Sequence, residues 1–110
     1  MKIYLLGMNE RGRQTMRMFL DRHLRDDCQA TGMAQEAQAV LVDIDSYRSE
    51  KALQQHMKQF PQQRVIALSI APEKYSDTDW LLVRKPDEAL GLKNALQQLQ
   101  KQFFTSAPAA

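Results

Sequence analysis

Three short runs, Ala39-Val40-Leu41-Val42, Val65-Ile66-Ala67-Leu68 and Trp80-Leu81-Leu82-Val83, are apolar at every position. A strand with one solvated face alternates apolar and polar residues. A strand without alternation is covered on both faces, which is the setting of a parallel sheet. The segments between these runs have the other period. Met16, Phe19, Leu20 and Leu24 recur at helical spacing within 11–24. Leu53, Met57 and Phe60 share a stripe within 48–60, with Ala52 and His56 beside it. Leu92, Leu96, Leu99 and Phe103 form a third stripe. Strands alternating with helices predict a doubly wound parallel sheet with helices on both faces, the flavodoxin-like arrangement.

The remaining elements fill in that order. Lys2 to Leu6 is a β-favouring first strand. Gly7-Met8-Asn9-Glu10 is a turn in which Asn9 can cap the first helix. Cys28 to Met33 is a short second strand, and Ala34 to Gln38 has room for barely one helical turn. Pro61 stops the second helix. The segment from Pro72 to Asp79 is polar and short. The predicted sheet therefore has five strands, with the helices after strands 2 and 4 short or missing. Residues 1–104 are expected to form the domain and 105–110 a linker or tail.

Composition narrows the class without naming an activity. The 110 residues suit one domain. A single cysteine, Cys28, cannot close an internal bridge and suits a reducing, cytoplasmic setting. Apolar runs are far shorter than the roughly 20 residues of a membrane-crossing helix. A net charge of +2 does not point to nucleic acid or to an anionic membrane.

In doubly wound sheets ligands meet the carboxyl ends of the strands. Those ends carry Gly7, Met8, Asn9, Asp43, Asp45, Ser69 and Lys85. At this point the chain resembles the receiver (CheY-like) domain of two-component response regulators. Lys2 to Glu10 matches the family's first strand and turn. Val40-Leu41-Val42-Asp43-Ile44 matches the third strand, which ends on the phosphoacceptor aspartate. Val65-Ile66-Ala67-Leu68-Ser69 matches the fourth with its terminal hydroxyl, and Leu82-Val83-Arg84-Lys85-Pro86 the fifth with its Lys-Pro. The resemblance spans Met1 to Phe103. It implies Asp43 at the phosphoacceptor position, with Ser69 and Lys85 at the two accompanying positions and Pro86 behind a cis bond.

The departures from the family matter as much. Two acidic residues that hold Mg²⁺ follow the first strand in working receivers, and here Gly7 and Met8 stand there. Mg²⁺ takes oxygen ligands, which neither residue supplies. Asp45 or Glu10 could substitute for them. The family's switch couples the hydroxyl after strand four to an aromatic residue that is Leu82 here. Trp80 is the nearest ring. A structural tie between Asp43 and Lys85 is the expected arrangement, with Ser69 as a loop hydroxyl.

Other candidates read as structural. Cys28 has no activating partner in the sequence and suits the core. His23 and His56 lack companions at metal-ligand spacing, and no metal or cofactor is expected. Gly7 to Gly12 is too poor in glycine to cradle a phosphate. Arg11, Arg13, Arg17, Arg22 and Arg25 make the first helix basic. A solvated face with Arg17–Asp21 and Arg22–Asp26 pairs competes there with a docking surface for an acidic partner.

The sequence thus suggests a degenerate receiver, or pseudo-receiver, that is not an enzyme. It would act by protein contact, as a homodimer or against a C-terminal output domain, in a bacterial signalling protein. Cyclic-di-GMP signalling is the expected context from family habit. Trp80, Leu82, Leu90 and Phe104 are the expected interface residues. Phosphoacceptance at Asp43 with an atypical metal site, and small-molecule or nucleotide sensing at the same rim, are the alternatives.

Overall fold

Alternation within each strand divides the interior into two cores on opposite sides of one sheet. In the computed structural model, which describes residues 1–23, 28–85, 94 and 96–98, the strands are β1 (Lys2–Leu6), β2 (Gln29–Thr31), β3 (Ala39–Asp43), β4 (Arg64–Ser69) and β5 (Leu81–Arg84). All pairings are parallel and the spatial order is β2-β1-β3-β4-β5. The chain steps from β1 outward to β2 and returns on the other side as β3. The point where the order reverses therefore lies between the carboxyl ends of β1 and β3.

On one side Ile3, Leu5, Ala39, Leu41, Ile66, Leu68 and Val83 pack with Leu20 and Cys28. Leu20 comes from α1 (Glu10–His23). Leu96 joins this core, and Asn94 and residues 96–98 are helical. On the other side Val40, Val42, Val65 and Ala67 pack with Ile44 and Leu53, with Tyr4, Leu6, Trp80 and Leu82 partly buried around them. Leu53 comes from α2 (Tyr47–Gln59). The apolar run of β3, residues 39–42, and β4 from Val65 onward are buried, as their unbroken apolar sequences require.

Local signals start and stop the helices where the sequence says. Asn9 caps α1: its Oδ1 accepts from the Gly12 N–H at 2.8 Å, and its carbonyl accepts from the Arg13 N–H at 2.9 Å. Ser46 caps α2 by accepting from the Ser49 N–H at 3.1 Å. The buried stripe of α2 is Ser49, Leu53 and His56, and Met57 is only partly covered. His56 is turned inward because its polar atoms are satisfied there. Its Nε2 lies 2.6 Å from Gln63 Oε1 and its ring stacks on Tyr4 at 5.4 Å.

The two shortened connections are single 3-10 turns, Ala34–Glu36 and Pro72–Tyr75. Each is tied down by polar contacts in place of a packed helix. Gln63 Nε2 donates to the Ala34 carbonyl at 2.7 Å. The Tyr75 hydroxyl donates to Glu50 at 2.7 Å, which pushes its pKa up to about 12, and its ring lies 5.5 Å from Trp80. The fifth strand begins one residue later than its apolar run, at Leu81, and Trp80 precedes it. Leu24, Arg25, Asp26, Asp27, Pro86, Leu90, Leu92, Leu99, Phe103, Phe104 and the expected tail 105–110 lie outside the described residues. Among the described residues no helix is long and apolar enough to cross a membrane.

Candidate functional site

Strand geometry brings Gly7, Asp43, Ser69 and Lys85 to one rim. Asp43 is the last residue of β3. Ile44 continues toward β4 by donating its N–H to the Leu68 carbonyl at 3.1 Å. Lys85, just past β5, donates its backbone N–H to the Ser69 carbonyl at 3.0 Å. Three strand ends are thereby fixed side by side before any side chain is considered.

The Lys85 ammonium then spans two carboxylates. Its Nζ lies 2.9 and 3.0 Å from the two Asp43 oxygens and 3.0 Å from Asp45 Oδ2. The pairing of Asp43 with Lys85 is formed, and Asp45 shares it. Asp45 also reaches β4 and the residue after it. Its Oδ1 accepts from the Ser69 hydroxyl at 2.6 Å, and its Oδ2 accepts from the Ile70 N–H at 3.0 Å. The Ser69 oxygen in turn accepts from the Ala71 N–H at 3.0 Å, and the residue is fully buried. Ser69 is therefore engaged both as donor and as acceptor.

These contacts set the charge states. Burial opposes ionisation of Asp45, but the bonds from Ser69, Ile70 and Lys85 outweigh it and hold the carboxyl below its usual 3.8. Burial likewise opposes the charge on Lys85. Its bonds to Asp43 and Asp45 prevail and raise its pKa above the usual 10.5.

The acidic-pair positions are occupied in a way that suits no metal. Gly7 adopts φ +71°, the left-handed region that glycine tolerates. A Cβ there would lie 2.8 Å from Ser49 Oγ and 3.1 Å from the Asp43 carbonyl. Ser49 is buried and bonded to the Ser46 hydroxyl at 2.9 Å, so it fills the space that a carboxylate at residue 7 needs. Met8 contributes a thioether. Asp45 faces Ser69, Ile70 and Lys85, and Glu10 is exposed on α1. Among the described residues no three His, Cys, Asp or Glu side chains stand together as ligands. The set does not fit Mg²⁺, which asks for several oxygens in near-octahedral array.

An open cleft of about 440 Å³ remains between the turn after β1 and the end of β3. Met8, Asn9, Arg11, Thr15, Met16 and Asp43 line it. The Asp43 side chain is 38% exposed, so one of its flanks faces solvent. The expected interface residues Trp80 and Leu82 lie away from this rim, half-buried against the α2 core. Ser49 was not apparent as a site residue in the sequence. The signal that could have found it is the Ser46-x-x-Ser49 cap directly after Asp45.

Two outcomes follow from this geometry. Gly7→Asp is expected to lower stability by more than about 1 kcal/mol, from the positive φ and the contact with Ser49. Gly7→Asp combined with Ser49→Gly should recover part of that loss in denaturant melts. The pH dependence has two limbs. The Asp45 contribution is present above the usual carboxylate value and is lost as pH falls through its depressed folded value. The Lys85 contribution is present below its usual value and is lost as pH rises through its raised one. Chemical denaturation across pH should show both, and Asp45→Asn should flatten the acid limb.

No protein-family profile matches the sequence, and no curated protein matches it. Solved structures do resemble it. The two component transcriptional regulator AraC from Clostridium phytofermentans superposes with TM-score 0.67 at 16% identity, over 96% of this chain and 95% of its own. The receiver domain of sensor histidine kinase PA1611 from Pseudomonas aeruginosa, solved with magnesium coordinated in its active-site cleft, gives 0.59 at 16% identity over 91% and 97%. A response regulator receiver protein from Sinorhizobium medicae gives 0.57 at 13% identity over 91% and 94%. The fold of this chain is that of the response-regulator receiver domains.

Proposed function

We propose that this chain is a receiver-like module that works by protein contact, without a phosphoryl cycle and without enzymatic activity. The observation that carries the reading is the shared ammonium of Lys85, bonded to Asp43 and Asp45 together. Phosphoryl transfer to an aspartate requires cations that neutralise the phosphoryl oxygens. Here the cation at the rim is already divided between two carboxylates, Gly7 and Met8 add no oxygen ligand, and Ser69 is held by Asp45. Asp43 and Lys85 then serve to fix the strand ends.

Contact would run through the edge at β5. Trp80 and Leu82 are half-buried there on an outer strand of the sheet. That supports either self-association or packing against an output domain. The setting we propose is the regulatory part of a larger bacterial signalling protein in the cytoplasm. The similar structures, a two component transcriptional regulator and the receiver domain of a sensor histidine kinase, support that setting. A cyclic-di-GMP output would be a narrower case resting on the sequence resemblance. The 38% exposure of Asp43 to the cleft favours one second reading, phosphoacceptance at Asp43 through an atypical metal site.

Beryllofluoride with Mg²⁺ separates the two readings. Backbone amide resonances around Asp43, Ser69 and Lys85 are expected to stay in place. Saturable shifts there that Asp43→Asn abolishes would establish the second reading. Association is tested by sedimentation across a wide concentration range. Mass should rise toward a dimer together with a blue shift of Trp80, the single tryptophan. A constant monomer mass removes the homodimer and leaves only a contact between domains.

A further inference from the structure

The cleft beside Asp43 has no task left to it by a module that takes neither metal nor phosphoryl group. Its volume of about 440 Å³ lies in the range of small-molecule sites. One wall is the end of β3 with Asp43, and the other is the first two turns of α1. At 100° per residue Arg11, Thr15, Gly12 and Met16 follow one another within about 140° of the helix surface, so they make one continuous wall. Gly12 puts no side chain into that wall. A Cβ there would have only Asn9 Oδ1, at 3.2 Å, and the Met8 Cβ, at 3.6 Å, within 4 Å among the described residues.

The described lining holds one acid and one base. Asp43 keeps its exposed flank although both its oxygens accept from Lys85, and each carboxylate oxygen has a further lone-pair direction. The Arg11 guanidinium is exposed, and among the described residues no carboxylate lies within 4.0 Å of it. Asn9 uses its Oδ1 on the Gly12 N–H, which leaves its NH2 as a second donor. Thr15 donates to the Arg11 carbonyl at 2.9 Å, which leaves its oxygen as an acceptor. Met8 and Met16, both half-buried, add an apolar surface. A ligand of one sign meets a repelling group here, since Arg11 opposes a cation and Asp43 opposes an anion. A zwitterion satisfies both. A metal ion asks for several oxygens, whereas an ammonium needs one acceptor, and the open flank of Asp43 supplies it with Lys85 still in place.

We infer that this cleft binds a free aliphatic α-amino acid, with Asp43 taking the ammonium, Arg11 and Asn9 the carboxylate, and Met8 and Met16 the side chain. Methionine adapts its shape to the apolar group it meets, so the cleft selects the class more tightly than the individual side chain. The inference goes beyond the protein-contact reading and gives that module a small-molecule input between α1 and the end of β3. Its failure would leave the protein-contact reading in place.

Free L-leucine is the probe, titrated into the ¹⁵N-labelled full chain. Saturable amide shifts are expected at Gly7, Met8, Arg11 and Gly12, with α2 unmoved. Two relatives of the probe each lack one charge: isoamylamine has no carboxylate and isocaproate has no ammonium. Each should bind about tenfold more weakly, the effect of losing one charged partner at a half-open site. Free glycine, which keeps both charges and lacks the side chain, should also bind more weakly. Arg11→Gln should weaken leucine about tenfold and leave isoamylamine no worse bound. Asp43→Asn should weaken leucine and isoamylamine together and spare isocaproate. Denaturant melts report whether Asp43→Asn stays folded, and Arg11→Gln changes only an exposed side chain, so the test stands on either variant. The inference is overturned by the absence of saturable shifts, by leucine shifts centred on α2, or by unchanged leucine affinity in Arg11→Gln. Equal binding of isoamylamine would show a site for a cation only, equal binding of isocaproate a site for an anion only, and each result overturns it as well.

Discussion

One ammonium group ties the working edge of this sheet together. Lys85 Nζ holds both oxygens of Asp43 at the end of β3 and one oxygen of Asp45 just beyond it. Asp45 passes the connection on to β4 through Ser69 and Ile70. Three consecutive strand ends thus share one charge-assisted network, and charge-assisted hydrogen bonds are the stronger kind. The network has two carboxylates and one cation, so it keeps a net negative charge. Its remaining exposed flank is Asp43, facing the cleft beside α1. A cation site at this place would need the carboxylates free, and Lys85 holds them.

The same economy runs through the scaffold. Where a longer chain would lay a helix across the sheet, this one uses a 3-10 turn and a polar tie. Gln63 joins the turn Ala34–Glu36 to buried His56. Tyr75 joins the turn Pro72–Tyr75 to Glu50 and supports Trp80. Arg84 clamps the loop after β4 from outside, through the Ile70 carbonyl and Glu73. The result is a five-stranded sheet in which β2 and β5 are lightly covered edges. It leaves Trp80 and Leu82 half-exposed on one side of the sheet and exposed Met18 of α1 on the other.

Much of this was legible in the sequence because it depends on period and position. β1 occupies Lys2–Leu6 as read, and β3 and β4 agree to within a residue, since apolar runs buried on both faces leave little freedom of register. Local chemistry was legible too: Asn9 caps α1 as expected. Long-range partnership was not. Asp45 meets Ser69 across 24 positions and Ile70 across 25, and nothing in its neighbourhood marks it as the centre of the rim. The steric role of Ser49 against Gly7 depends on how α2 enters the sheet. The expected Arg17–Asp21 pair failed for the opposite reason. Spacing permits such a pair, but an exposed pair is worth only about 0.2–0.5 kcal/mol, too little to hold two side chains together.

The shared ammonium is the claim on which the rest depends, and the side-chain nitrogen resonance of Lys85 reports on it directly. In ¹⁵N-labelled protein titrated with Mg²⁺, the account predicts a protected Lys85 ammonium signal that the metal leaves unmoved. A saturable shift or loss of that signal, with matching changes at Asp43 and Asp45, would show that a metal can displace the lysine and would contradict the account.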